Sequence, residues 1–221
     1  MIALIDYGAG NLTSVKKALT ALDAEFIVPG TPEECAGAAG LIVPGVGHFS
    51  ATTALATPWR DAIGGAVRAG TPLLGICVGM QWLYEGSEEA PEVPGLGVLA
   101  GRCRLLRGDA AQRLKIPHVG WNALDVRGRL KPDTTYQSRL LAGVESGAHV
   151  YFTHSYAAPV TADCVASTEH AERFASAVER DNVFGVQFHP EKSGDTGLRV
   201  LRNFLEFCLS RRSSAEADLS C

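Results

Sequence analysis

Short apolar runs alternate with helical patterns along the first half of the chain, and that alternation predicts βαβ units built around a parallel sheet. Ile2 to Ile5 reads as the first strand. Val15, Ala18, Leu19 and Leu22 follow at i, i+3, i+4 and i+7, the apolar stripe of a helix entered through Asn11 or Thr13 as its cap. Phe26 to Val28, Leu41 to Val43 and Leu73 to Ile76 read as further strands. Thr57-Pro58 before Trp59 to Ala69 puts proline at the first position of a second helix. From about Pro94 the period changes. Short β segments over Gly97 to Leu106, Val119 to Val126 and Arg173 to Glu179 predict antiparallel pairing in an excursion beside the main sheet. A helical pattern resumes from about Thr196 to Arg212 and is expected to cover one sheet face. Ser213 to Cys221 has too little apolar content to pack, so a disordered tail is expected over 213–221, after a single domain over 1–212. The fold class is α/β: a mostly parallel central sheet flanked by helices, with a smaller antiparallel β excursion.

Composition narrows the function classes. A chain of 221 residues with 46% hydrophobic content can bury one large core. A formal charge of -4 and a pI near 5.9 leave no basic footprint for nucleic acid. No apolar run approaches the roughly 20 residues a spanning helix needs, and the N-terminus opens on a strand, so the reading is a cytoplasmic protein with no membrane partner. Six cysteines, at 35, 77, 103, 164, 208 and 221, lack Cys-x-x-Cys spacing, which points to neither a metal site nor a disulfide framework.

One of those cysteines carries chemistry. Gly75-Ile76-Cys77-Val78-Gly79 follows the apolar run Thr71-Pro72-Leu73-Leu74 and copies the Gly-x-Ser-x-Gly elbow with sulfur in place of oxygen. Glycines on both sides let strand and helix approach closely, and the thiol is held near a helix N-terminus that favours thiolate. Alone, the segment fits a small buried cysteine beside a tight turn equally well. A partner motif lies at Val183 to Lys192, where a buried strand ends in His189-Pro190-Glu191. Proline biases His189 toward an extended conformation, and residues two apart in an extended chain face the same way, so His189 and Glu191 are expected to share one site. Glu191 would fix the imidazole tautomer and leave the other nitrogen to work on the thiol. Gln81, four residues after Cys77, falls on the same helix face and could bind the charged end of a substrate. His154 competes with His189 for the role of base but lacks a carboxylate at two-residue spacing.

With these motifs in place the chain resembles the triad-type (class I) glutamine amidotransferases, which have a flavodoxin-like fold, and among them the glutaminase subunits of imidazole glycerol phosphate synthase. The resemblance runs from Met1 to about Arg212. It rests on Asp6 to Asn11, Pro44 to Phe49, Gly75 to Gln81, Pro117-His118-Val119-Gly120-Trp121-Asn122, Tyr151 to Tyr156 and Val186 to Ser193. It implies a catalytic triad of Cys77, His189 and Glu191 that hydrolyses L-glutamine to glutamate and ammonia through a thioester. Elbow geometry makes the Val78 N–H one oxyanion donor, and the resemblance puts the second in Gly45, Val46 and Gly47. The glutamine pocket would be lined by Gln81, Glu89, His154, Ser155 and Tyr156. No cofactor is implied. The implied partner is a (β/α)8 cyclase subunit, joined as a heterodimer and fed with ammonia, with Asn11, Trp121 and Lys192 near the docking face. Other readings remain at this point: a glutaminase of another pathway, a cysteine peptidase on a similar sheet, and a silent regulatory scaffold. For single residues the bland roles also stand, Asn11 as a helix cap, Trp121 as core and Lys192 as a solvated side chain.

Overall fold

The computed structural model describes residues 1–108, 114–126 and 137–218. In chain order it begins with β1 (Ile2–Leu4), α1 (Leu12–Ala21), β2 (Phe26–Ile27), β3 (Gly40–Gly45), α2 (Trp59–Arg68) and β4 (Leu73–Cys77), and α3 (Val78–Trp82) follows β4 with no loop between. Seven short or medium strands come next: β5 (Gly86–Ser87), β6 (Ala90–Pro94), β7 (Arg102–Leu105), β8 (His118–Ala123), β9 (Asp125–Val126), β10 (His149–His154) and β11 (Tyr156–Ala157). The chain closes with β12 (Cys164–His170), β13 (Glu172–Arg180), β14 (Val183–Val186) and the long helix α4 (Gly194–Asp218).

Eight strands form the central sheet in the order β2-β1-β3-β4-β14-β13-β12-β9. The first five run parallel. All residues of β3, β4 and β14 are buried, as expected for parallel strands covered on both faces. Val15, Ala18 and Leu19 are the buried stripe of α1, the positions its apolar period marks. Asn11 stands at the α1 cap position but makes no side-chain capping bond. In α2 the proline sits at the cap position, one residue before the helix, instead of at its first position.

Three expectations change. Arg173 to Glu179 belongs to β13 in the central sheet and not to the excursion. Phe174 to Glu179 are buried without a break, because small residues at Ala175, Ser176 and Ala177 let both faces of the strand be covered. Val119 to Val126 splits between two sheets: β8 pairs with β10, while β9 adds to the central edge beside β12. The excursion is therefore the β8–β10 ribbon plus a small sheet ordered β11-β7-β5-β6. Finally, α4 continues to Asp218, so residues 213–218 of the expected tail are helical, and 219–221 lie outside the described residues. Among the described residues no helix is long and apolar enough to cross a membrane.

Candidate active site

Parallel pairing puts the functional residues at one end of the sheet. In register, Cys77 at the end of β4 stands beside Gly45 of β3, and Ile76 beside Val186 of β14. The segment following β14 therefore emerges next to the thiol. Cys77 has φ 53 and ψ -111, a conformation that ordinary residues avoid and that a nucleophile elbow imposes. The flanking glycines make the turn possible: a Cβ on Gly79 would lie 1.8 Å from the Val43 carbonyl oxygen, and one on Gly75 would lie 2.6 Å from the Gly79 oxygen.

The side chains of His189 and Glu191 are both buried, and His189 Nδ1 lies 2.9 Å from Glu191 Oε1. The local geometry differs from the extended chain expected. Pro190–Lys192 form a turn of 3-10 helix after an extended His189, so the pair is brought together by a tight turn and not by strand alternation. The fixed φ of proline is compatible with that turn. The imidazole is further anchored through its backbone: His189 N–H donates to Tyr151 O at 2.9 Å, and Ser193 Oγ donates to His189 O at 2.6 Å. Burial disfavours charge on His189, but the Cys77 sulfur and the Glu191 carboxylate outweigh it and raise its pKa to about 9. Its Nε2 has no hydrogen-bond partner among the described residues, and neither does Glu191 Oε2.

Gly47, Val78, Gln81, Glu89, Thr153, His154, Ser155 and Tyr156 line one narrow cleft with Cys77. Glu89 is oriented by accepting the Phe49 N–H at 2.7 Å. Gln81 Nε2 is committed to Tyr156 O at 2.9 Å and Gln187 Oε1 at 3.1 Å, leaving its Oε1 as the group without a protein partner among the described residues. Gly45 packs against the Tyr7 hydroxyl and the elbow. Val46 does not present its N–H to the thiol in this structure: it donates to Ala9 O at 2.7 Å. His154 is placed in the cleft with both nitrogens engaged, Nδ1 with Tyr156 O at 2.9 Å and Nε2 with His118 Nδ1 at 3.1 Å. Burial, together with the nearby His118, His170 and His189, overrides the Tyr156 bond and lowers its pKa to about 3. With both nitrogens engaged, His154 offers no free nitrogen to the thiol.

Away from the cleft, Trp121 is 57% exposed and meets Tyr151 edge to face, while the Lys192 ammonium lies 5.8 Å above the same Tyr151 ring. The structure thus joins Trp121 and Lys192 in one surface cluster. Trp121 is not core.

Residues 3–207 match the family described as Glutamine amidotransferase class-I. The chain belongs to that family. It is 47% identical over 225 residues to the imidazole glycerol phosphate synthase subunit HisH of Gloeobacter violaceus, covering 100% of this chain and 95% of that protein. Similarity to the HisH subunit of Geobacillus thermodenitrificans is 46% over 219 residues, with 96% and 99% covered. Among solved structures, one described as a crystal structure of glutamine amidotransferase superposes with a TM-score of 0.70 at 22% identity, covering 94% of this chain and 99% of that one. The structure of PurLQS from Thermotoga maritima superposes at 0.67 with 22% identity, covering 93% and 97%. These two likenesses concern the fold.

Within this amidotransferase, sequence reasoning missed one residue at the thiol and one that anchors the His189 segment. Gln187 is fully buried, and its Nε2 lies 3.6 Å from Cys77 Sγ. Ser193 ties Tyr151 to the His189 carbonyl. The signal for Gln187 was available: it is the one polar residue in the apolar run Val183 to Phe188, and a buried amide needs partners.

Proposed function

We propose that this amidotransferase is the glutaminase half of an imidazole glycerol phosphate synthase and that it hydrolyses L-glutamine at Cys77. The observation that carries the proposal is the elbow itself, a positive-φ cysteine beside a buried His189–Glu191 pair. Cys77 Sγ attacks the side-chain amide carbon, and the Val78 N–H stabilises the oxyanion. The intermediate collapses by breaking the C–N bond, and His189 supplies the proton that leaves with ammonia. His189 then removes a proton from water, which cleaves the thioester to glutamate and restores the thiol. Glu191 orients His189 and stabilises its charged form. Gln81 Oε1 and the Glu89 carboxylate are acceptors suited to the substrate ammonium, and Ser155 and Tyr156 complete the pocket wall. A second oxyanion donor comes from Gly47, or from Val46 once its bond to Ala9 is exchanged. Losing one such donor typically costs about 3 to 4 kcal/mol.

Full-length similarity to synthase subunits supports a (β/α)8 cyclase subunit as partner in a cytoplasmic heterodimer, to which ammonia is passed. The Trp121, Tyr151 and Lys192 cluster supports a docking face there, with Asn11 assigned to its rim by resemblance. An electrophilic glutamine analogue is expected to add once, at Cys77. The contrast is physical: burial raises the pKa of Cys164 and Cys208 to about 12 and also raises Cys35 and Cys103. Peptide mass mapping tests this, and label elsewhere with Cys77 untouched overturns it. Mixed with the cyclase, Cys77→Ala should make imidazole glycerol phosphate from ammonium salt but not from glutamine. Loss of both reactions in an assembled complex would refute the ammonia-donor role.

A further inference from the structure

A buried row of polar groups runs from β8 to the nucleophile, and one atom sets its direction. The main-chain carbonyl of Tyr156 can only accept, and its donors are His154 Nδ1 and Gln81 Nε2, both at 2.9 Å. On one side, Gln81 gives its other hydrogen to Gln187 Oε1 at 3.1 Å, which leaves Gln187 Nε2 as the group 3.6 Å from Cys77 Sγ. On the other side, a neutral His154 that donates from Nδ1 must accept at Nε2. Its neighbour there, His118 Nδ1 at 3.1 Å, therefore carries the hydrogen. His118 Nε2 must then accept, and Asn122 Nδ2 lies 3.3 Å away. Asn122 is oriented independently, since its Oδ1 accepts the Ala123 N–H at 2.8 Å and its Nδ2 also donates to Glu169 O at 3.0 Å. Both ends of the row agree on a single arrangement of hydrogens.

Packing alone would not select two imidazoles for this place. His118 is 3% exposed and His154 7%, on a ribbon where Val119 and Trp121 are each 57% exposed. Phe152 and His170 stack on the two sides of His118, with ring centroids at 4.8 and 4.1 Å, and burial with His170 nearby lowers the His118 pKa to about 4. A charged form is thereby excluded at neutral pH, and the tautomers above are the ones that satisfy every bond.

We propose that His118 is a positioning residue for glutamine hydrolysis: by donating from Nδ1 it locks His154 as a neutral, Nδ1-protonated ring and so fixes the Tyr156 carbonyl around which Gln81 and Gln187 are oriented at the thiol. The proposal rests on Cys77 being the nucleophile. It is tested in two ways. Nitrogen-15 NMR of the full chain at pH 7 should show His118 and His154 neutral, each with hydrogen on Nδ1. Glutamine hydrolysis should then be measured, with the cyclase subunit present, for His118→Asn, whose amide nitrogen falls where Nδ1 lies, and His118→Phe, which keeps the ring but has no donor. His118→Phe should raise the glutamine KM about tenfold with a smaller fall in kcat, and His118→Asn should stay within about threefold of wild type. Hydrogen on Nε2 of His154 in the wild type, wild-type kinetics in His118→Phe, or equal damage in both variants would overturn the proposal. If His118→Phe does not fold, the tautomers and His118→Asn still decide. Failure of the analogue to label Cys77 in wild type would overturn the nucleophile assignment instead.

Discussion

Glu179 on β13 and Glu191 in the turn before α4 are both buried carboxylates, yet their surroundings treat them in opposite ways. Glu179 accepts from Ser138 Oγ and Arg139 Nε at 2.7 Å and from the Leu140 N–H at 3.3 Å. The Arg139 guanidinium is itself held by the Asp181 carbonyl and lies over Phe207, 4.5 Å from the ring centre. That site ties β13, the segment after residue 137 and α4 together. Glu191, by contrast, binds His189 through one oxygen and leaves Oε2 without a partner among the described residues, as His189 leaves Nε2. Saturated polar groups hold a fold in place, because removing any partner strands the others. A buried pair with unused capacity gains nothing for stability from that capacity and is poised to exchange a proton.

That contrast can be broken most severely at the imidazole. His189→Ala should lower the glutaminase rate on the order of 10³-fold or more, and a loss below tenfold would remove His189 from the proton transfers. Glu191→Gln should cost on the order of 10²-fold in kcat. Glu179→Gln should respond differently, with a stability loss of about 2 kcal/mol, discounted from the 3–5 typical of fully buried pairs because the Arg139 side chain is 43% exposed. Its kcat should be unchanged in the folded fraction. Equal kcat losses for the two glutamine variants, measured with unfolding curves alongside, would erase the distinction. The smallest effect sharpens it. With the His189 pKa raised to about 9, kcat/KM should hold across neutral pH and fall as pH rises through about 9, because the departing ammonia then lacks its proton donor. Stability linked to this group is full below its unfolded value near 6.5 and is lost over the same rise. In Glu191→Gln the basic limb should move to lower pH, since one of the two groups favouring charge is gone.

How much of this was legible in the sequence depended on how far each partner lies along the chain. The elbow could be read because its causes are local: two glycines, a strand and a helix within a few residues. The closeness of His189 and Glu191 was readable too, although a 3-10 turn produces it where strand alternation was expected. β13 was placed in the wrong sheet, because Ala175 to Ala177 carry little pattern and only burial on both faces reveals a central strand. The placement of Gln187 and the role proposed for His118 could not be read from spacing, since their partners lie 110 and 36 residues away. Val46 shows a further limit. A glycine-rich segment announces a backbone free to turn, not which way its N–H points.

The neighbourhood of β4 and β14 has a consequence for the chain as it is made. The thiol is synthesised early, but the amide that faces it comes 110 residues later and the imidazole later still. At ordinary rates of translation that gap lasts on the order of ten seconds. Until β14 settles against β4, Cys77 lacks the base proposed for it, and the pairing that brings His189 close must close a long loop first. On the proposed mechanism a nascent chain on the ribosome therefore carries an idle sulfhydryl, and reactivity begins only when the last third of the polypeptide has joined the sheet.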